Sequence, residues 1–283
     1  MPLPSSTVTS PEISASSLIE DEIDFDRRFG GIARLYGAPA LARFRQAHVC
    51  VIGVGGVGSW AVEALARSAI GHLTLIDLDN LAESNVNRQI HALTDTLGMA
   101  KVTALAQRIH QINPYCDVKE IEDFITPDNV AEMLKDKQYD YVIDAIDNVR
   151  AKTALIAYCR AHQIRLITIG SAGGQIDPTQ IAVRDLAKTE QEPLLAKVRK
   201  LLRSEHKFPR GDKSKFGIDA VFSTEPLRMP VSAEVCAVEG APVVGVAGLN
   251  CAGYGSAVVV TASFGLVASA YVLQQLAVDA MRN

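Results

Sequence analysis

A glycine-rich run at residues 53–58 could bring backbone N–H groups against a polyphosphate. It follows an apolar stretch and reads G-V-G-G-V-G, which places glycines at Gly53, Gly55, Gly56 and Gly58. Because glycine has no Cβ, its backbone can approach a ligand closely, and the helix that follows directs the positive end of its dipole at that ligand. The spacing predicts a nucleotide-binding turn between a strand and a helix.

Two acidic residues follow the next apolar run and could hold a ribose. Asp77 ends the run L-T-L-I nineteen positions after Gly58, and Asp79 lies two residues further on. A carboxylate in this position can accept hydrogen bonds from ribose hydroxyl groups. Asp77 is the stronger candidate because it directly ends the predicted strand, whereas Asp79 could simply begin the loop.

A cationic, amide-rich segment decides between phosphate chemistry and hydride transfer, since NAD-, FAD- and ATP-binding sheets all share the glycine run. The candidate nucleotide ligands in and after S-N-V-N-R-Q are Asn85, Asn87, Arg88, Gln89 and Lys101. Arginine and lysine neutralise phosphate oxygens, and a dehydrogenase has little need of them here. We predict chemistry at phosphorus, with Arg88 and Lys101 as catalytic cations. An NAD-linked dehydrogenase or a nucleotide-binding scaffold without catalysis is the rival interpretation.

The motif D-A-I-D-N supplies carboxylates at the end of a further predicted strand. Asp147 is the predicted magnesium ligand and a catalytic candidate, because a carboxylate can hold the Mg²⁺ that bridges nucleotide phosphates. Asp144 either contributes to the nucleotide site or is a structural carboxylate at the strand end. Asn148 either contacts the nucleotide or caps the helix that follows.

Alternating strands and helices must position these residues. We predict strands near 48–54, 73–78, 117–121, 139–145 and 165–170, and helices near 57–69, 98–112, 128–136, 149–163 and 192–204. This pattern is typical of an α/β fold with a doubly wound, mostly parallel, Rossmann-like sheet. In such a fold the ligand residues meet at the carboxyl ends of the strands. After Thr179 the pattern becomes irregular, so the C-terminal half is expected to be elaborated.

Composition indicates a globular protein of 283 residues, with 48% hydrophobic and 21% charged residues. Residues 1–24 are rich in serine, threonine and proline, and we expect a disordered tail. Residues 25–283 are expected to form a single ATP-binding domain, with a nucleotide-binding half at about 25–170 and a substrate and dimer half at about 171–283. The five cysteines form no C-x-x-C pair, so we expect reduced thiols, a cytoplasmic location and no zinc.

Two further segments bear on partners. No charged residue occurs from Gly240 to Val278, but Pro242 and several glycines interrupt the first part. We predict a packed helix from about Val258 onward, and peripheral membrane contact stays open.

Between Lys188 and Lys215, basic residues outnumber acidic ones although the whole chain has a net charge of −4. This excess fits either an RNA backbone contact or a solvated helix face and loop.

Five motifs in order across residues 53–148 resemble the adenylating E1-like enzymes, the superfamily that activates ubiquitin-like proteins and sulfur carriers. They are G-V-G-G-V-G, D-L-D-N, S-N-V-N-R-Q, the lysine of G-M-A-K, and D-A-I-D-N. The resemblance implies that ATP and Mg²⁺ are the cofactors, with a monovalent cation as an optional addition. It implies an acyl-adenylate intermediate and release of pyrophosphate.

Flanking runs are similar to those of the tRNA threonylcarbamoyladenosine dehydratases within that superfamily. They are R-F-G-G-I-A-R-L-Y-G, G-G-Q-I-D-P-T-Q, D-L-A-K-T and V-F-S-T-E. This resemblance implies ATP-dependent cyclisation of threonylcarbamoyladenosine (t6A) in tRNA, with AMP as the second product. The alternative is adenylation of the C-terminal glycine of a ubiquitin-like sulfur carrier. The implied partners are tRNA carrying t6A, a second copy of the chain, and a cysteine desulfurase or sulfur acceptor, but no DNA.

Two positions depart from the superfamily or leave its chemistry open. Some relatives supply an arginine across the dimer from a motif that here reads R-F-G-G-I, so Gly31 occupies that arginine's position. Either Arg28 or Arg34 takes the role, or no arginine is supplied in trans. Cys236 lies where some relatives place a thioester-forming cysteine and is a candidate nucleophile, although Glu234 and Glu239 flank it instead of a cation or base.

Overall fold

The computed structural model describes residues 24–135, 138–211, 213–228 and 254–282. The first half contains α1 (Phe25–Tyr36), α2 (Ala38–Gln46), β1 (His48–Ile52), α3 (Gly58–Arg67), β2 (His72–Ile76), α4 (Lys101–Ile112) and β3 (Asp117–Ile121). The second half contains α5 (Val130–Leu134), β4 (Tyr141–Asp144), α6 (Val149–Ala161), β5 (Leu166–Ile169), β6 (Ile181–Asp185), α7 (Pro193–Glu205), β7 (Asp219–Ser223) and α8 (Val258–Ala280).

These strands form one sheet in the order β3-β2-β1-β4-β5-β7-β6. The pairs from β3 to β7 are parallel, and β6 runs antiparallel to β7 at the edge. The predicted α/β class with a doubly wound, mostly parallel sheet is confirmed. The five predicted strands are present, whereas β6, β7, α1 and α2 were not predicted because their sequences show no clear period.

Burial explains which sequences became central strands. β1, β2, β4 and β5 are apolar and almost entirely buried, since helices cover both faces of a parallel sheet. β3 reads D-V-K-E-I and is largely exposed at the edge. One face of the sheet packs against α2, α3, α4 and α8, and the other packs against α6 and α7. The sheet therefore presents the ends of its parallel strands along one side, where the predicted ligand residues lie.

The uncharged helix α8 packs across one face of the sheet. By length and composition it could cross a membrane, with a mean hydropathy of 1.4, yet half of that stretch is buried inside the protein. Phe264, Val272 and Leu276 are fully buried. The Ser269 hydroxyl donates to the carbonyl oxygen of Ala61 on α3 at 3.0 Å. The helix thus packs within the protein, as the sequence predicts.

The contact between α8 and α3 leaves no room for a side chain at Gly265. A Cβ there would lie 2.4 Å from the carbonyl oxygen of Val57, whereas one at Gly255 would meet nothing within 4 Å. We expect Gly265→Ala to lower the free energy of unfolding by about 1–3 kcal/mol, because backbone must move and helix propensity offsets only part of the clash. Gly255→Ala is the matched control. Urea denaturation measures both, and equal stabilities would contradict the packing described here.

Candidate functional site

A cavity of about 980 Å³ opens at the carboxyl ends of the parallel strands. Most of its wall consists of the segments that follow β1, β2, β3, β4 and β5. β1 pairs with both β2 and β4, so the strand order reverses here, which is where doubly wound sheets bind ligands. The predicted residues that line the cavity are Gly53, Gly55, Gly56, Asp77, Asp79, Asn85, Arg88, Gln89, Lys101, Asp147 and Asn148.

The glycines of the turn have different structural roles. Gly53 has a φ of +83°, a conformation that side-chain-bearing residues rarely adopt, and a Cβ at Gly56 would lie 2.9 Å from Cγ of Arg88. Gly58 is not part of the cavity wall. A Cβ there would lie 1.9 Å from the carbonyl oxygen of Gly53. Gly58 therefore allows close packing of α3 on the end of β1, and its phosphate contact stays a prediction.

Asp77 fixes the glycine turn from the end of β2. Its carboxylate accepts hydrogen bonds from the Val54 N–H at 2.8 Å and the Asp79 N–H at 2.9 Å. Burial raises the pKa of Asp77 above its ordinary value, while the nearby Lys101 ammonium acts in the opposite direction. Asp77 thus both lines the cavity and holds the loop that surrounds a ligand.

Lys101 lies between the two carboxylates at the start of α4. Its Nζ is 2.6 Å from Oδ2 of Asp79 and 3.8 Å from Oδ1 of Asp77. The Lys101 side chain is only 7% exposed, whereas that of Asp79 is 55% exposed. A phosphate oxygen can reach this ammonium only if it replaces Asp79 as the partner or joins it.

Arg88 lies beside the glycine turn and is held from two directions. Its guanidinium donates to the carbonyl oxygen of Ser84 at 2.7 Å and to Oδ1 of Asn87 at 2.9 Å. The indole N–H of Trp60 on α3 donates to the Arg88 carbonyl oxygen at 2.9 Å. Partial burial lowers the pKa of Arg88, but a guanidinium stays charged in proteins. A fixed cation therefore lies next to Gly56.

The predicted amide residues separate into two groups. Oδ1 of Asn85 accepts from the Ala82 N–H at 3.1 Å, and Asn85 lines the cavity. Gln89 lines it too, is 5% exposed, and has an Oε1 atom without a hydrogen-bond partner. Asn87 does not line the cavity, and its Nδ2 donates to the carbonyl oxygen of Ser256 at 3.0 Å. Asn87 thus joins its loop to the segment just before α8, and its side chain does not face the cavity.

Asp144 is a structural carboxylate, not part of the cavity wall. It is fully buried, and its Oδ2 lies 2.9 Å from Nζ of Lys152, which is also fully buried. Oδ2 also accepts from the Thr168 hydroxyl at 2.7 Å, and Oδ1 accepts from the Ile146 N–H at 3.1 Å. The pair joins β4, β5 and α6 directly beneath the loop that carries Asp147.

Asp147 and Asn148 both line the cavity but have different surroundings. Asn148 caps α6, because its Oδ1 accepts from the N–H groups of Arg150 and Ala151. The Asp147 side chain is exposed to the cavity, and within the described residues no hydrogen bond or ion pair occupies its carboxylate. An unengaged carboxylate in a wall that also holds Arg88 and Lys101 fits the predicted magnesium ligand.

Two wall segments were not predicted. One is 123–127 after β3, and the other is 170–173 after β5. The second is held by Glu192, whose Oε1 accepts from the Ser171 N–H at 2.7 Å and whose Oε2 caps α7 through the Leu195 N–H. Burial raises the pKa of Glu192. Neither segment carries a recognisable motif, but each follows a parallel strand, and that position alone could have indicated it.

The cavity wall includes neither Arg28 nor Arg34, and Cys236 lies outside the described residues. Arg28 donates to the carbonyl oxygens of Gln111 and Ile112 at the end of α4. Arg34 is exposed on α1. Whether either arginine reaches a nucleotide in a second copy of the chain stays a prediction.

Comparison with known proteins gives a consistent result. The ThiF family model matches residues 28–279. The chain is 54% identical over 254 residues to the tRNA threonylcarbamoyladenosine dehydratase of Haemophilus influenzae, covering 89% of this chain and 94% of that protein. It is 55% identical over 259 residues to the Escherichia coli protein of the same name, covering 91% of this chain and 96% of that protein.

Solved structures of the E. coli dehydratase are similar to this fold. The complex with ATP has a TM-score of 0.81 and 52% identity, and the match covers 91% of this chain and 97% of the other. The complex with AMP has a TM-score of 0.82 and 51% identity, and the match covers 97% of this chain and 100% of the other. The predicted resemblance to the E1-like adenylating superfamily is confirmed.

The buried Asp144–Lys152 pair gives a prediction about stability. We expect Lys152→Met to lower the free energy of unfolding by about 3–5 kcal/mol, because it leaves the Asp144 carboxylate buried without a counter-charge. The double variant Asp144→Asn with Lys152→Met removes both charges and should recover much of that loss. Urea denaturation of the three proteins measures the difference. A double variant no more stable than Lys152→Met would contradict the charge-based account.

Proposed function

This chain belongs to the ThiF family, and from that premise we propose that it is an ATP-dependent tRNA threonylcarbamoyladenosine dehydratase. Two relatives above 50% identity carry that name and match along almost their whole length. The observation that supports the chemistry most directly is the composition of the cavity wall. Arg88, Lys101 and Asp147 occupy it together, which suits a polyphosphate with a bound metal ion.

The nucleotide lies along the glycine turn in this proposal. Backbone N–H groups of the turn and the first turn of α3 face the phosphates, and Asp77 or Asp79 accepts from the ribose. Arg88 is already held beside Gly56, where its guanidinium can contact a phosphate on the turn. Lys101 exchanges part of its contact with Asp79 for a phosphate oxygen. Asp147 would hold Mg²⁺, and the bound ion would neutralise phosphate charge.

Adenylation converts a poor electrophile into a good one. The threonylcarbamoyl carboxylate attacks the α-phosphorus, the bond to pyrophosphate breaks, and an acyl-adenylate forms. The carbamoyl portion of the same substrate then closes on the activated carbonyl and expels AMP, so that one water is lost overall. Since the nucleophile is intramolecular, no enzyme thiol is needed. The protein contributes mainly positioning and charge stabilisation.

A cationic surface on α7 and the following loop supports tRNA as the substrate. Its exposed basic residues, none of which has an ion-pair partner in the described part of the chain, are Lys197, Lys200, Lys207, Arg210, Lys213 and Lys215. Arg199 and Arg203 are excluded, because Arg199 donates to Thr189 and Arg203 packs 5.2 Å from the ring of Phe216. Leu194 in the first turn of α7 lines the nucleotide cavity, so the helix that carries this surface starts at the cavity wall.

The other parts of the proposal concern assembly and location. α8 exposes the apolar side chains Val259, Leu266 and Val278 along a helix without charge before Asp279, which suits a homodimer contact. A tRNA-modifying enzyme with reduced thiols fits the cytoplasm, and this location is proposed on that basis. A desulfurase or sulfur-acceptor partner remains a prediction from the family resemblance, as does the monovalent cation.

The decisive experiment supplies ATP, Mg²⁺ and tRNA with or without t6A. We expect loss of one water from the modified nucleoside, with AMP and pyrophosphate formed only when t6A is present. Nucleoside mass spectrometry and a pyrophosphate assay measure these outcomes. Release triggered only by a ubiquitin-like sulfur carrier would replace the dehydratase proposal with carrier adenylation. Binding of NADH in place of ATP would overturn adenylation altogether.

Asp147→Asn should lower the rate of adenylation by about 100-fold or more while the protein stays folded, because it weakens a metal ligand without changing core volume. Asp128→Asn is the matched control, since Asp128 is an exposed carboxylate just after the 123–127 wall segment and does not line the cavity. ATP–pyrophosphate exchange across a magnesium titration measures both. If Asp147→Asn exchanges pyrophosphate at a near-normal rate, Asp147 is not a metal ligand.

A further inference from the structure

A second cavity, of about 410 Å³, is lined by three arginines. Its wall consists of Arg28 and Phe29 from α1, Arg67 from α3, and Arg108, Gln111 and Ile112 from α4. α4 starts with Lys101 at the nucleotide cavity and ends with Ile112 here. Twelve residues of helix span roughly 17 Å, so the two cavities lie at opposite ends of α4. This pocket is therefore separate from the site described above.

A single buried carboxylate orients two of the arginines. The Glu63 side chain is 8% exposed, and its Oε1 accepts from Nε of Arg67 at 2.7 Å. Arg108 contacts the same carboxylate through two nitrogens, with Nε at 2.6 Å from Oε2 and Nη2 at 3.0 Å from Oε1. Side-chain hydrogen bonds to these two arginines lower the pKa of Glu63 against the opposing effect of burial. Two guanidinium groups are thus fixed side by side.

The third arginine is fixed by the backbone. Nη1 of Arg28 donates to the carbonyl oxygens of Ile112 at 2.9 Å and Gln111 at 3.3 Å. Each guanidinium has five N–H donors, and these contacts use only some of them on each arginine. The remaining donors have no hydrogen-bond partner among the described residues.

The charges in this pocket do not balance. Three cations meet one carboxylate, which leaves a formal excess of two positive charges in a concave site. Clustered like charges repel one another, and an anion that contacts all three removes that repulsion. Fixed arginines present paired donors that match the oxygens of a phosphate better than a flexible lysine does. The arrangement therefore suits an oxyanion with several acceptor oxygens, such as a phosphate group.

We propose that this arginine pocket binds a phosphate group of the RNA backbone, and this assignment of RNA rests on the proposed function. The pocket and the α7 surface differ in how their cations are held. Its cations are oriented before binding, whereas the exposed lysines of α7 are free to move and can follow any strand. The pocket thus anchors the RNA at one phosphate at a distance from the reacting adenosine. Free inorganic phosphate shares the same chemistry and serves as the probe.

The test compares the wild-type protein with the variant Arg67→Gln, which removes one arginine of the pocket and leaves Arg28 in place. This variant keeps the bidentate Arg108 contact, so that the buried Glu63 carboxylate retains a counter-charge. Arg45→Gln is the matched control, since Arg45 is an exposed arginine of α2 that packs over Phe25 and does not line the pocket. Calorimetry measures binding of inorganic phosphate, and fluorescence anisotropy measures binding of an anticodon stem-loop RNA.

We expect Arg67→Gln to lose phosphate affinity by about tenfold, because a charge-assisted hydrogen bond contributes about that factor. RNA affinity should fall by a similar factor, and the salt dependence of log K should become shallower by about 0.7 for one lost phosphate contact. KM for the tRNA should rise while kcat at saturating tRNA is unchanged, and Arg45→Gln should match the wild type.

Three results would overturn the proposal. If the variant binds phosphate and RNA as tightly as the wild type, the pocket is not a phosphate site. If the variant loses phosphate binding but keeps its RNA affinity and its KM for tRNA, the pocket binds free phosphate and not RNA. A change in oligomeric mass in the variant would assign it to a contact between copies of the chain. If the wild-type protein does not cyclise t6A, the proposed function fails, while the phosphate titration still tests the pocket.

Discussion

No side chain fits between the first turn of α3 and the end of β1, and the nucleotide cavity depends on this close approach. A Cβ at Gly58 would overlap the carbonyl oxygen of Gly53, so only glycine lets α3 begin this near the strand. The same turn contacts α8, where Gly265 lies against Val57. Asp77 then fixes the turn through the Val54 N–H. Three separate parts of the chain thus hold one loop in a shape that can surround phosphates.

The charges near the cavity have separate structural and chemical uses. Asp144 and Lys152 are fully buried and satisfy each other, so they hold the loop that carries Asp147 without entering the cavity. Asp147 itself is free of such contacts in the described structure. Lys101 is intermediate, because it is nearly buried but pairs with the exposed carboxylate of Asp79. A ligand can compete for Lys101, whereas it cannot compete for Lys152.

Local sequence predicted the parts of the site that carry a strong pattern. The glycine run, the strand-ending aspartate and the run containing Arg88 are contiguous motifs, and all three contribute to the cavity wall. Segments 123–127 and 170–173 escaped prediction because they have no distinctive residues and belong to the wall only through strand order. Asn87 and Asp144 sit within motifs, yet a change of one or a few positions along a loop or strand turns a side chain away from the ligand.

The sequence by itself determined the class of fold, the family and the phosphate-binding character of the main site, because each depends on local periodicity or on residues close together in the chain. Only the tertiary structure decided which carboxylates are buried and which face the cavity, because that depends on packing between distant segments. It also decided that Arg28, Arg67 and Arg108 line one pocket, where Glu63 pairs with the last two. Arg67 and Glu63 are neighbours on one turn of α3, but Arg28 and Arg108 come from helices about forty positions away on either side, so no local pattern could bring all three arginines together.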